Sequence, residues 1–318
     1  MGAGGVFAGR SSGAIVLACL SVFLVAPVRA QQVADTTYDT RVARPAYTRD
    51  GPRLLFDEAH HEFHRTDGRY RPFAALARHD GYRVIANPDT FASATLAKGD
   101  LLVIANALGD DDMSAPAASN PAFSPAECAA VAAWVRAGGA LLLIADHAPM
   151  GDAAKALAES LGVDMRAAYT ADKERNESGG PTILHYRPGK GLAEAHPIVL
   201  GRDSSERVRH VVAFTGQSLS GPPGAVSLLT LSPAAEDLLI HLGESAKNVP
   251  AEKHRPAGGR SQGLAFTLGR GRVVVLGEAA MLTAQVAGPQ AFKMGMNAPG
   301  NDDRQFALNV LHWLTRAL

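Results

Sequence analysis

Continuous apolar runs separated by amphipathic stretches set the pattern of this chain. Leu101-Leu102-Val103-Ile104-Ala105 and Ala140-Leu141-Leu142-Leu143-Ile144-Ala145 lack the alternation of a half-exposed strand. They read as parallel strands covered on both faces. Leu54-Leu55-Phe56 is a shorter strand, and Tyr82-Arg83-Val84-Ile85 begins another. Between them the spacing predicts a helix over 71–80, with Phe73, Leu76 and Ala77 on one face and Gly81 closing it. Ser124-Pro125-Ala126-Glu127 opens a second helix over 125–137 as a capping box with proline at its first position, and Gly138 stops it. A third spans 152–161 and ends at Gly162. Runs 264–268 and 272–276 flank Gly269-Arg270-Gly271 as a hairpin. A final helix over 302–318 carries Phe306, Val310, Trp313 and Leu314 on one side. Alternating strands and helices define an α/β chain with a doubly wound, mostly parallel sheet.

Two stretches interrupt this rhythm. Residues 31–50 are polar and aperiodic and read as a lead-in. Residues 165–262 are richer in Gly, Pro and charge, with strands expected only at 208–214 and 226–231. They read as a β-rich insertion within a single α/β domain over 51–318. The first thirty residues are not expected to join the fold. Arg10 precedes an apolar run over 14–26, and Pro27-Val28-Arg29-Ala30 ends it with small residues at 28 and 30. That is the layout of a secretory signal peptide, too short for a comfortable membrane span. The expected location is periplasmic or secreted, with no stable membrane anchor after cleavage.

Composition narrows the possibilities further. Of 318 residues, 47% are apolar, which fits a globular chain. Loss of Arg10 and Arg29 with the leader leaves 29 basic against 31 acidic side chains. Such a balance gives no electrostatic case for nucleic acid. Cys128 becomes the only cysteine, so no internal disulfide forms, and its phase with Val131 and Trp134 makes it a buried helix residue.

Candidate chemistry gathers where strands end, the edge at which open α/β sheets bind ligands. The run over 140–145 ends in Asp146-His147, Asp57 and Glu58 follow the first strand, and Glu278 follows the last. The segment Asp57-Glu58-Ala59-His60-His61-Glu62-Phe63-His64 is not a nucleotide-hydrolysing motif, since no phosphate loop precedes it. Nor is it a zinc-protease helix, being one residue short of the spacing that puts two imidazoles on one face. Adjacent strand ends can instead bring Asp57, His61, Asp146 and His147 together as ligands for a divalent metal such as zinc. Glu278 is then the base for a bound water, with Asp146 and His147 as the other catalytic candidates. Glu58, Gln217 and Asn297 complete the expected ligand contacts. Hydrogen-bonded helix caps and loop ties are the competing reading of the same residues.

Several motifs resemble one group of proteins: Phe56-Asp57-Glu58-Ala59-His60-His61, the Gly138-Gly139 strand ending in Ala145-Asp146-His147, His196-Pro197-Ile198 and Phe214-Thr215-Gly216-Gln217. Leu276-Gly277-Glu278-Ala279-Ala280-Met281 and Asn309-Val310-Leu311-His312-Trp313-Leu314 belong with them. Together they look like the exported bacterial proteins of the DUF4350 type, within the class I glutamine amidotransferase-like superfamily. The resemblance spans roughly 51–318 and implies a flavodoxin-like core, but no particular activity. In true amidotransferases a nucleophilic cysteine follows the strand at 140–145. Here Asp146-His147 stands there, so thiol-dependent glutamine hydrolysis is not expected. The reading is a polar crevice for a small-molecule, carbohydrate-like ligand, with hydrolysis through Asp, Glu and His as a further option. Its rival is a non-catalytic module that binds envelope glycans or a partner protein.

Overall fold

The computed structural model describes residues 1–2, 32–177, 180–240, 244, 246 and 248–318. The expected signal peptide lies outside the described residues. Seven strands form the central sheet: β1 (Arg53–Asp57), β2 (Arg83–Asn87), β3 (Leu101–Ala105), β4 (Ala140–Ile144), β5 (Val226–Ser227), β6 (Gly263–Leu268) and β7 (Gly271–Leu276). Their spatial order is β5-β6-β7-β4-β3-β1-β2. The five strands from β7 to β2 run parallel to their neighbours, whereas β6 and β5 add antiparallel at one edge. The chain is therefore mixed α/β with a large, mostly parallel central sheet.

Continuous apolar runs became strands because both sheet faces are covered. Leu54, Phe56, Val103, Leu142 and Val274 point to one face, where they pack on α1 (Arg71–His79) and α4 (Asp303–Leu314). Leu55, Leu102, Ile104, Leu141, Leu143 and Val275 point to the other, against α2 (Pro125–Arg136) and α3 (Met150–Ser160). This is the period-two alternation of a pleated strand with two dry faces instead of one. Cys128 sits in the second layer as a buried free thiol, and burial pushes its pKa up. The capping box forms as read: Ser124 Oγ accepts from the Glu127 amide while Glu127 Oε2 accepts from the Ser124 amide.

Two expectations need correction. The lead-in is not free of structure. Gln32–Ala34 is a strand that pairs antiparallel with Ala284–Ala287, and Tyr38, Val42 and Tyr47 pack against the core. The insertion holds more strands than its pattern suggested, including Tyr169–Ala171, Leu184–Tyr186, Glu236–Leu238 and His254–Pro256. Each is three residues long, too short to show a period. Strand β5 belongs to the central sheet and not to the insertion's own pairings. Asp302 is the residue at the cap of α4, yet its side chain makes no cap bond. Its carboxylate accepts from the Arg209 and His210 amides, and Asn301 Oδ1 takes the Asp303 amide. No helix among the described residues is long and apolar enough to cross a membrane.

Candidate functional site

Strand register fixes the site. Ile144 on β4 pairs with Leu276 on β7 and with Ala105 on β3, so the three strands end level. Asn106 is one residue beyond β3, Asp146 two beyond β4, and Glu278 two beyond β7. All three reach the same carboxyl edge. A cavity of 190 Å³ opens there, lined by Asp146, His147 and Glu278 together with His64, Thr215 and Gln285. Phe63, Met113, Met150, Phe214 and Met294 supply its apolar wall.

Asp146 is held on both oxygens. Oδ2 accepts from Asn106 Nδ2 at 2.8 Å and Oδ1 from the Ala279 amide at 2.6 Å, while Asn106 Oδ1 accepts from the Asp146 amide at 2.9 Å. Burial nevertheless dominates and raises its pKa to about 7. Glu278 is fully buried, and its oxygens accept from the Ala280 and Met281 amides at 2.7 and 2.8 Å. Desolvation, with the Asp146 charge next to it, raises its pKa well above the carboxylate range. Two carboxyl groups that repel at close quarters cannot both ionise readily, so Glu278 is biased toward its protonated form.

His147 lies flat on Tyr169, with ring centroids 3.7 Å apart and planes 14° from parallel. Its Nδ1 donates to the Ala148 carbonyl at 2.7 Å. Burial lowers its pKa to about 4, so the ring is neutral at physiological pH. His64, also in the lining, packs against Tyr70 with ring centroids 4.7 Å apart and planes 33° from parallel. Burial lowers its pKa to about 3. His64 Nδ1 and Gln285 Oε1 are both buried and have no hydrogen-bond partner among the described residues. A buried polar atom left unmatched costs about 1–3 kcal/mol.

Several expected residues lie elsewhere. Asp57 bonds His60 Nδ1 at 2.8 Å, and His60 Nε2 bonds Glu127 at 2.8 Å. His60 packs against both Phe91 and Phe123, with each centroid 4.7 Å away. Burial raises Asp57 to about 7; burial and the adjacent Asp57 raise Glu62 to about 9. The donor atoms of Asp57, His60 and Glu62 lie within 4.8 Å of one another. By contrast, the set Asp57, His61, Asp146 and His147 does not converge. His61 has a left-handed φ of 52° and points outward to Asp111, 2.6 Å away. A left-handed backbone at His61 excludes a helical turn through this segment. Glu58 bonds Arg65 and Thr66.

Gln217 faces the strand end but uses its amide as a tie. Nε2 donates to the Ala145 and Asp146 carbonyls and Oε1 accepts from the Ala167 amide. Asn297 Nδ2 donates to Asp35 and to the Gln285 carbonyl, outside the cavity lining. Among the polar and aromatic groups at this edge, the sequence did not assign Asn106 beside Asp146, His64, Thr215 and Gln285 in the lining, or Tyr169 under the His147 ring. Gln285 reaches the edge only through the long-range pairing of its strand, and His64 through a loop tied back by the Phe63 amide to the Asn106 carbonyl.

No family model matches this sequence, and no curated protein matches it. Solved structures do. The mmIFT52 N-terminal domain is similar at a TM-score of 0.54 and 15% identity, over 83% of this chain and 97% of that one. A ThuA-like protein from Bacteroides uniformis gives 0.44 at 14% identity, over 86% and 93% of the two chains. A ThuA-like protein from Parabacteroides merdae gives 0.44 at 13% identity, over 84% and 90%. At these identities the likeness is one of fold alone.

Proposed function

We propose that this chain is an exported binding protein whose strand-end cavity takes a small, neutral, hydroxyl-rich ligand of the carbohydrate-like class. One observation carries the reading: His64 Nδ1 and Gln285 Oε1, buried and unpartnered among the described residues, belong to side chains that line the same cavity as Asp146, His147 and Glu278. The cavity of 190 Å³ lies below the roughly 300–1,000 Å³ of drug-sized sites, which suits a single small ring or open-chain polyol. Two acidic side chains in its wall disfavour an anion. Phe63 and Phe214 give the ligand's apolar face something to rest on. The leader motif supports export to the periplasm or beyond. The strand order β2-β1-β3-β4-β7 supports a flavodoxin-like, class I glutamine amidotransferase-like core, and the motif resemblance alone points to the DUF4350 type.

Hydrolysis is a second reading, and the coupled Asp146–Glu278 pair favours it, because a carboxyl that holds its proton near pH 7 can act as an acid. Binding is the stronger reading, since both oxygens of each carboxyl are already taken by amide donors. Isothermal titration with a panel of neutral monosaccharides and alditols tests it. At least one member binds in a one-to-one ratio, and Gln285→Leu weakens that binding about tenfold, the effect of one hydrogen bond to a buried acceptor. A panel without saturable binding, or binding that Gln285→Leu leaves unchanged, overturns the reading. Turnover of p-nitrophenyl glycosides that Asp146→Asn abolishes establishes the hydrolase instead.

A further inference from the structure

Outside the cavity, two histidines and a glutamate meet on the insertion. His185 lies in the strand Leu184–Tyr186, which pairs antiparallel with Val211–Ala213, and His210 directly precedes that partner strand. The two rings stack, with centroids 5.2 Å apart and planes 22° from parallel. His185 Nδ1 is 2.9 Å from His210 Nε2 and 3.6 Å from Glu177 Oε2. The donor atoms of the three residues lie within 4.8 Å of one another.

The tautomer of His210 is fixed by its other nitrogen. His210 Nδ1 is 2.6 Å from the Gly300 carbonyl, which can only accept, so the proton is on Nδ1. His210 Nε2 therefore presents a lone pair toward His185. A ring nitrogen pinned to a backbone carbonyl, with its partner nitrogen aimed at other donors, is the outer-shell arrangement of metal-ligating histidines. Glu177 is held the same way, with Arg187 donating to both of its oxygens at 3.2 and 2.8 Å.

The spacing fits an ion. Around a centre with bonds of about 2.0–2.1 Å, donors 2.9 Å apart subtend about 90° and donors 3.6 Å apart about 120°. Both angles are ordinary for a four- or five-coordinate ion. We propose that Glu177, His185 and His210 form a binding site for a borderline divalent cation such as Zn²⁺, with water completing its shell. Two imidazoles and one carboxylate are the donor set that such ions prefer over Mg²⁺ or Ca²⁺. Bound there, the ion clamps the insertion near the turn that precedes α4. That turn is already joined to His210 through its amide bond to Asp302 and its ring bond to Gly300.

Titrating tag-free, metal-free full-length protein with ZnCl₂ by calorimetry tests the proposal. One Zn²⁺ binds per chain, and His185→Ala and Glu177→Gln each weaken it at least tenfold, while circular dichroism shows both variants folded. Co²⁺ at the site gives a visible absorption band that His185→Ala removes. Asp57→Asn leaves binding intact, which separates this site from the buried Asp57, His60 and Glu62 group. Absence of stoichiometric binding, wild-type affinity in folded His185→Ala, or loss only in Asp57→Asn would each overturn it.

Discussion

Replacing Asp146 by Asn removes a carboxyl that the fold forces to hold its proton, and the consequence is a change in how stability depends on pH. Burial moves this group from 3.8 to about 7. Between those two pH values the native protein keeps a proton that the unfolded chain has released. Wild-type stability therefore falls as pH rises from about 4 to about 7 and levels off above. A move of about three pH units corresponds to about 4 kcal/mol. Asp146 is only half-buried, and solvent reaching it through the cavity makes that figure the upper end. The amide introduced by Asp146→Asn does not titrate, and loss of the neighbouring charge also eases ionisation of Glu278, which acts in the same direction. Asn106 Nδ2 loses its acceptor, a constant cost of about 1 kcal/mol at every pH. Urea denaturation of both proteins between pH 4 and pH 8 reads the difference. Asp146→Asn starts below the wild type at pH 4 and gains on it by up to about 4 kcal/mol by pH 8. Parallel curves, or a gap that widens with pH in the wild type's favour, would refute the assignment of a proton-holding Asp146.

Two further substitutions probe the frame around the site. Asp80 accepts from the Ala46 amide at 2.8 Å and bonds His312 Nε2 at 2.6 Å, joining the end of α1 to α4. Asp80→Ala leaves His312 buried without its partner and the half-buried Ala46 amide without its acceptor, with a loss of about 3 kcal/mol or more in urea denaturation; a loss below about 1 kcal/mol would contradict that role. A Cβ at Gly277 would lie 2.3 Å from the Gln217 carbonyl. Gly277→Ala is therefore expected to cost about 1–3 kcal/mol in thermal melting and to weaken ligand binding, by displacing the amide that ties Ala145 and Asp146. An unaltered melting temperature would remove Gln217 from the account.

The sheet was legible because its strands are buried on both faces and carry unbroken apolar runs, as at 101–105 and 140–144. The meeting of Asp146, His147 and Glu278 was legible for a related reason. Each stands within three residues of the carboxyl end of a sheet strand, and parallel neighbours end level. His61 was not legible, since one left-handed residue turns its ring from the strand end to the surface. His60, its neighbour, takes the place beside Asp57. Gln285 reaches the cavity only through the strand Ala284–Ala287, whose partners are Gln32–Ala34 and Phe292–Gly295. None of these three segments shows a period long enough to predict its pairing. The ligand-ion geometry at His185 and His210 was hidden likewise, because it depends on the pairing of two three-residue strands.

Methionine methyl groups report on the central proposal most directly. Of seven methionines, Met113, Met150 and Met294 line the strand-end cavity, and Met165, Met281 and Met296 do not. With the methyls labelled with carbon-13, titration with neutral monosaccharides and alditols is predicted to shift the first three signals in a saturable way and leave Met165 unmoved. Signals from Met113, Met150 and Met294 that stay fixed across the whole panel, or shifts centred on Met165, would contradict a ligand site at this edge of the sheet.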